Sequence, residues 1–170
     1  NPDSDTVVIR GVTRLSKVGA IRLEALRHAS LPMSGPGRAP NGNFALTDVR
    51  VVAEPLAGGS GAEVKLASAR ATFEQIGLSV SGAIDSDRNT GWAVDPKTGQ
   101  DHAAVFVPAQ PIACEGGCRL GVTLKFENNK GHGIGRVQLS AGGRADAAFD
   151  GLGRADLAEN GLEAARSGSR

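Results

Sequence analysis

An all-β sandwich is the fold this 170-residue sequence predicts, and three observations carry the prediction. Short Val/Leu/Ile runs alternate with polar residues at period two, which suits half-buried strands. Twenty-four glycines supply tight turns between those runs. Helical periodicity is absent until Arg154–Arg166, where Ala, Leu and Glu suggest a short helix or a linker. The expected organisation is one β-sandwich domain over residues 1–140, with 141–170 as a linker or short helical tail.

Taken in order, Thr6–Arg10 and Ala20–Leu26 read as strands. The second turns Ile21, Leu23 and Ala25 inward and Arg22 and Glu24 outward. Leu31–Gly42 holds three Pro and three Gly and must be a long ordered loop. Asn43–Ala53 follows as a strand whose phase flips at Thr47-Asp48, with Phe44 and Leu46 in one phase and Val49, Val51 and Ala53 in the other. A bulge produces such a flip. A Gly-rich turn over Leu56–Ala62 leads to strands at Glu63–Ala67 and near Ala71–Glu74. Ser81–Trp92 is a polar loop, Ala103–Val107 a core strand, Arg119–Phe126 an alternating strand and Gly135–Ser140 the last one.

Composition narrows the function. Nineteen Lys and Arg against 18 Asp and Glu leave a net charge of +1, which argues against a nucleic-acid binder. No apolar run reaches the roughly 18 residues needed to cross a bilayer, and no polybasic amphipathic stretch suggests membrane insertion. A chain that opens Asn-Pro-Asp-Ser-Asp reads as processed or as a fragment of something longer. Five Phe, one Trp and no Tyr leave little for stacking platforms.

Cys114 and Cys118 are the only cysteines, and the Glu-Gly-Gly between them can turn tightly enough to bring the sulfurs together. They read as a local disulfide, with free thiols as the alternative. Zinc would need two more ligands, and His28, His102 and His132 have no ligand spacing. No nucleophile elbow or dinucleotide fingerprint is present, and His132 between glycines reads as a turn residue.

The densest chemistry lies in Ala83–Trp92, where Asp85, Asp87, Asn89 and Thr90 fall within six positions. Spacing alone allows an Asx-rich surface turn or a hard-cation loop, since Ca²⁺ takes about six to eight oxygens. This stretch resembles the A-x-D-G-x-x-x-T-x-W signature of discoidin-type, galactose-binding-like β-sandwiches, with Ser86 in place of the usual Gly. The resemblance implies a jelly roll with a structural Ca²⁺ held by Asp85, Asp87, Thr90 and the Gly82 carbonyl, and it places Trp92 in the core. Thr47-Asp48-Val49-Arg50-Val51 is similar to the family segment that completes the shell, adding Thr47 and Asp48. Here it precedes the Asp loop, as in a circularly permuted topology.

A further resemblance covers roughly residues 1–140. Ile21–Leu26, Leu31-Pro32, Gly35–Phe44 and Ala83–Trp92 together are similar to a domain of planctomycete-type exported proteins that also carry cytochrome-c-like and unknown-function domains. It implies a non-catalytic module, with strands upstream of Asn1 absent from this chain. Two functions follow as expectations. One is a carbohydrate-binding module for a polysaccharide or cell-surface glycan, with Arg38, Asn41, His102, Asn129 and His132 as polar contacts. The other is a structural module that holds domains or partner proteins together. Either is expected to be exported.

Overall fold

The computed structural model describes residues 1–146 and 165–166, and it is all-β and sandwich-like. One sheet has the order β11-β1-β9-β4-β5, built from Ala165–Arg166 (β11), Asp5–Thr13 (β1), Cys118–Phe126 (β9), Asp48–Pro55 (β4) and Ala62–Val64 (β5). The other has the order β10-β3-β7-β6, from Val137–Gly142 (β10), Ala20–Ala25 (β3), His102–Pro108 (β7) and Leu66–Ala71 (β6). Lys17–Val18 (β2) and Ile112–Ala113 (β8) pair separately. Every pairing is antiparallel.

Alternation explains the core. β9 turns Leu120, Val122, Leu124 and Phe126 inward, and β3 answers with Ile21, Leu23 and Ala25. Trp92 is fully buried as expected; its ring meets Phe44 edge-on at 4.9 Å, and its Nε1 donates to the Phe73 carbonyl at 2.9 Å. Burying an indole with its N–H satisfied removes the usual polar penalty.

The phase flip at Thr47-Asp48 is present. Phe44 and Leu46 belong to the core, as do Val49, Val51 and Ala53. The ladder begins only at Asp48, and Leu46 instead bridges to Trp92. At the flip the Thr47 amide and hydroxyl both donate to the Lys125 carbonyl, and the hydroxyl accepts from the Glu127 amide. The strands expected at Glu63–Ala67 and Ala71–Glu74 also shift, because the chain steps from one sheet to the other at Lys65 and β6 ends at Ala71.

Strand pairing continues past residue 140: β10 runs to Gly142, and β11 pairs with β1 at Ile9–Arg166 and Arg10–Ala165. Most of the expected tail helix at Arg154–Arg166 lies outside the described residues; Ala165 and Arg166 are in a strand.

Cys114 and Cys118 form the disulfide. The turn between them uses positive φ at Gly116 and Gly117 and an amide-to-carbonyl bond from Gly117 to Cys114. A side chain at Gly117 would meet the Thr13 carbonyl at 2.7 Å, so the Glu-Gly-Gly sequence fits for steric reasons.

The connectors divide unequally between the two ends of the sandwich. Residues 26–47, 72–101 and 127–136 all extend from the end where β4 and β7 begin and β3, β6 and β9 finish. At the opposite end, where the chain also leaves β10 at Gly142, the links described in full are short: 14–16, 56–61, 109–111 and 114–117.

Candidate functional site at the loop end

The three long connectors are tied to one another by hydrogen bonds. Gly37 and Ala39 amides donate within the first loop, to the Gly42 and Asn43 carbonyls. The Arg38 amide donates to Gly133 and the Ala45 amide to His132, so the first loop is laced to the third. A Cβ at Gly37 would collide with the Asn43 carbonyl, which is why this crossing needs glycine. Asn43, only 4% exposed, joins the first loop to the second: its Nδ2 donates to Gln75 Oε1, and its Oδ1 accepts from the Val94 amide. Asn128 Nδ2 donates to the Asn89 carbonyl at 2.6 Å, tying the third loop to the Asp loop. A buried Asn in this position must satisfy both ends of its amide, and it does so by cross-linking loops.

Within the Asp loop, two successive Asx turns are formed. Asp85 Oδ1 accepts from the Asp87 amide at 2.8 Å, and Asp87 Oδ1 accepts from the Asn89 amide at 2.9 Å. Ser86 sits at φ 67°, the left-handed region favoured by glycine. The Thr90 hydroxyl lies 3.0 Å from each Asp85 carboxylate oxygen, 3.1 Å from the Gly82 carbonyl and 2.8 Å from the Asp87 carbonyl. A hydroxyl has one proton, so it cannot satisfy four acceptors. The donors are all hard oxygens, the set that suits Ca²⁺.

The expected ligand set therefore assembles in part. Gly82, Asp85, Asp87 and Thr90 come together. Asp48 does not join them: it faces outward from β4, with Oδ2 2.9 Å from Arg50 Nε and 3.0 Å from Lys125 Nζ. Arg50 on the same strand and Lys125 across on β9 hold it there, and Arg50 in turn is raised above its ordinary pKa by its bond to Asp48. Thr47, expected to offer its backbone carbonyl, has its amide and side chain engaged with β9. Among the described residues, no three His, Cys, Asp or Glu side chains group as a metal site.

Of the expected ligand contacts, Arg38, Asn129 and His132 share one region. Arg38 pairs with Asp5 at 3.2 Å, and its carbonyl accepts from Asn1 Nδ2. His132 Nδ1 donates to the Lys130 carbonyl at 3.0 Å, and its amide donates to the Asn129 carbonyl. Asn41 is exposed, with Oδ1 capping the Asn43 amide. His102 is a correction: it is 1% exposed and faces inward at the start of β7. Nε2 donates to the Lys97 carbonyl at 2.7 Å, and desolvation holds the ring below its ordinary pKa. Asn43, Gln75 and Asn128, which organise this end, escape a residue-type search; the one hint is a polar residue set between Gly42 and Phe44.

A cleft of about 490 Å³ opens near the opposite end, lined by Ala53, Pro55, Ala62, Val64, Ile112 and Cys118 among others. It gathers none of the expected ligand-contact residues. No helix among the described residues is long and apolar enough to cross a membrane. No known family model, curated protein or solved structure matches this chain.

Proposed function

We propose that this chain is a non-catalytic binding module of a larger exported protein, that its fold is a permuted galactose-binding-like jelly roll, and that it engages a glycan through its loop end. The observation that carries this reading is the gathering of three long, mutually hydrogen-bonded connectors at one end of a rigid two-sheet frame. Binding groups concentrate on loops that a scaffold holds still. Arg38, Asn41, Asn129 and His132 offer exposed or half-exposed donors and acceptors there, which suits a hydroxyl-rich ligand. The disulfide is compatible with an oxidising location.

Structural Ca²⁺ belongs to the same reading. Gly82, Asp85, Asp87 and Thr90 would hold it, and the ion would neutralise the crowded oxygens and fix the loop beside Trp92. The role is conformational.

A second reading is favoured by a separate observation. Among the described residues, Phe44, Trp92, Phe106 and Phe126 are buried, and Phe73 is half-buried beneath Lys97. None of these described rings offers an exposed sugar-stacking surface, while Met33 is 74% and Ile76 100% exposed. That composition suits contact with another domain or protein. A glycan array probed with the chain in Ca²⁺ and again with chelator separates the readings. Selective binding weakened by chelator supports the glycan module; no binding across plant, algal and bacterial glycans supports the scaffold.

A further inference from the structure

The outer face of the β11-β1-β9-β4-β5 sheet carries a pattern that fits a copy of itself. Because Leu120, Val122 and Leu124 face the core, β9 turns Arg119, Gly121 and Lys125 outward. β4 sets Glu54, Val52 and Asp48 directly opposite those three. The middle row continues with Arg10 on β1 beside Gly121 and with Glu63 on β5 beside Val52. This row is open: Arg10, Val52 and Glu63 are exposed, and a Cβ at Gly121 would meet nothing within 4 Å. Among the described residues the exposed large apolar side chains are Met33, Val52 and Ile76, and Val52 alone stands on a sheet face.

A two-fold axis running along the strands between β9 and β4 exchanges these columns, so that β9 of each copy lies over β4 of the other. Val52 of one copy then fills the space above Gly121 of the other. Arg10 faces Glu63 at both ends of the row, joining two charges that lie three strands apart within one copy. Lys125 faces Asp48 and Arg119 faces Glu54, pairs already 3.0 Å apart within each copy, so each becomes a cluster of alternating sign. An axis across the strands, midway along the same columns, would instead set Lys125 over Arg119 and Asp48 over Glu54. Like charges brought together oppose association, so the columns select the lengthwise axis. Such a contact uses one patch on both copies and closes at two. Four strands about 4.8 Å apart and eight residues of about 3.4 Å span about 19 by 27 Å, so two copies cover about 1,000 Å², the lower end for a specific interface. The pairing is therefore weak. The loop end takes no part in it, so each copy keeps its candidate ligand surface whether paired or single.

We propose that this sheet face is a self-association surface and that its occupant is a second copy of the same chain, docked face to face about the lengthwise axis. Sedimentation equilibrium of the full chain, from micromolar to near-millimolar concentration, tests it. The average mass should rise from one chain toward two and stop there. Gly121→Leu, which a single chain has room for, should weaken pairing at least tenfold by obstructing Val52 of the other copy. Arg10→Glu and Glu63→Arg should each weaken it at least threefold, and the two together should restore it. Circular dichroism melting checks that each variant is folded. A mass of one chain at every concentration overturns the proposal and leaves the face to another partner or to solvent. Pairing that ignores Gly121→Leu, or a double reversal no better than the single ones, overturns the docking geometry. Growth beyond two copies overturns the closed two-fold contact.

Discussion

Thr90 carries more of the site's chemistry than any other residue, because one hydroxyl proton is shared among four oxygen acceptors. A cation that replaces that proton's role should stabilise the fold. At a concentration about a hundred times its Kd, Ca²⁺ should add about 2.7 kcal/mol, a rise in Tm of about 5–10 °C for a chain of this size. Asp85→Ala should abolish the rise, whereas Glu115→Ala, in the disulfide turn, should preserve it. Scanning calorimetry decides; equal melting with Ca²⁺ and with chelator removes the ion from the account. Ser86 gives a prediction of opposite character. Its left-handed φ of 67° costs a non-glycine residue about 1 kcal/mol, so Ser86→Gly should raise the urea midpoint, and a lowered midpoint would contradict the strain. His102 supplies a pH dependence. Its pKa is lower in the folded than in the unfolded chain, so the unfolded chain binds more protons between the two values. Stability should therefore be fully present above about pH 6.5 and fall as pH drops toward the folded value. His102→Gln, which keeps a donor for Lys97, should flatten that fall in urea titrations at pH 7 and pH 5; an unchanged slope would remove His102 as its source.

Among the elements, the crossing of Gly91 with Leu46 is the tightest join between the Asp loop and the sandwich. Leu46 and Trp92 exchange amide-to-carbonyl bonds at 2.9 and 2.8 Å, and Gly91 at φ 150° allows the approach. A Cβ there would lie 2.5 Å from the Leu46 carbonyl oxygen, so Gly91→Ala should cost about 3 kcal/mol, read as a loss in denaturant midpoint. Elements with strict alternation were legible in the sequence: β3, β7 and β9 match the runs at Ala20–Leu26, Ala103–Val107 and Arg119–Phe126 within a residue or two. Those that failed did so for definable reasons. Residues 43–47 are apolar in period two yet precede the strand ladder: Leu46 bridges to Trp92, and the Thr47 amide and hydroxyl both donate to the Lys125 carbonyl. Lys65 transfers the chain between sheets, an event that leaves no mark on hydrophobic period. Within the site, Asp85 and Thr90 were readable because their spacing is local. Asp48 was not, because Lys125, which helps to hold it, is distant in sequence and arrives by strand pairing. His102 failed similarly: its position at a strand start suggested exposure, but its phase is that of Ala104 and Phe106.

At the scale of the molecule, two sheets share one core, a disulfide pins the turn between β8 and β9, and three long connectors interlock at the far end. That asymmetry makes the loop end the place where a ligand would meet preorganised polar groups, at little cost in ordering. The most direct measurement of the proposed glycan function is affinity electrophoresis of the folded chain through gels containing individual polysaccharides with Ca²⁺. The account predicts retardation by at least one polysaccharide, reduced at least fivefold in apparent affinity by Asn129→Ala and unaffected by Glu63→Ala beside the opposite cleft. Unretarded migration in every polysaccharide, by a chain whose melting confirms it is folded, would contradict the glycan reading.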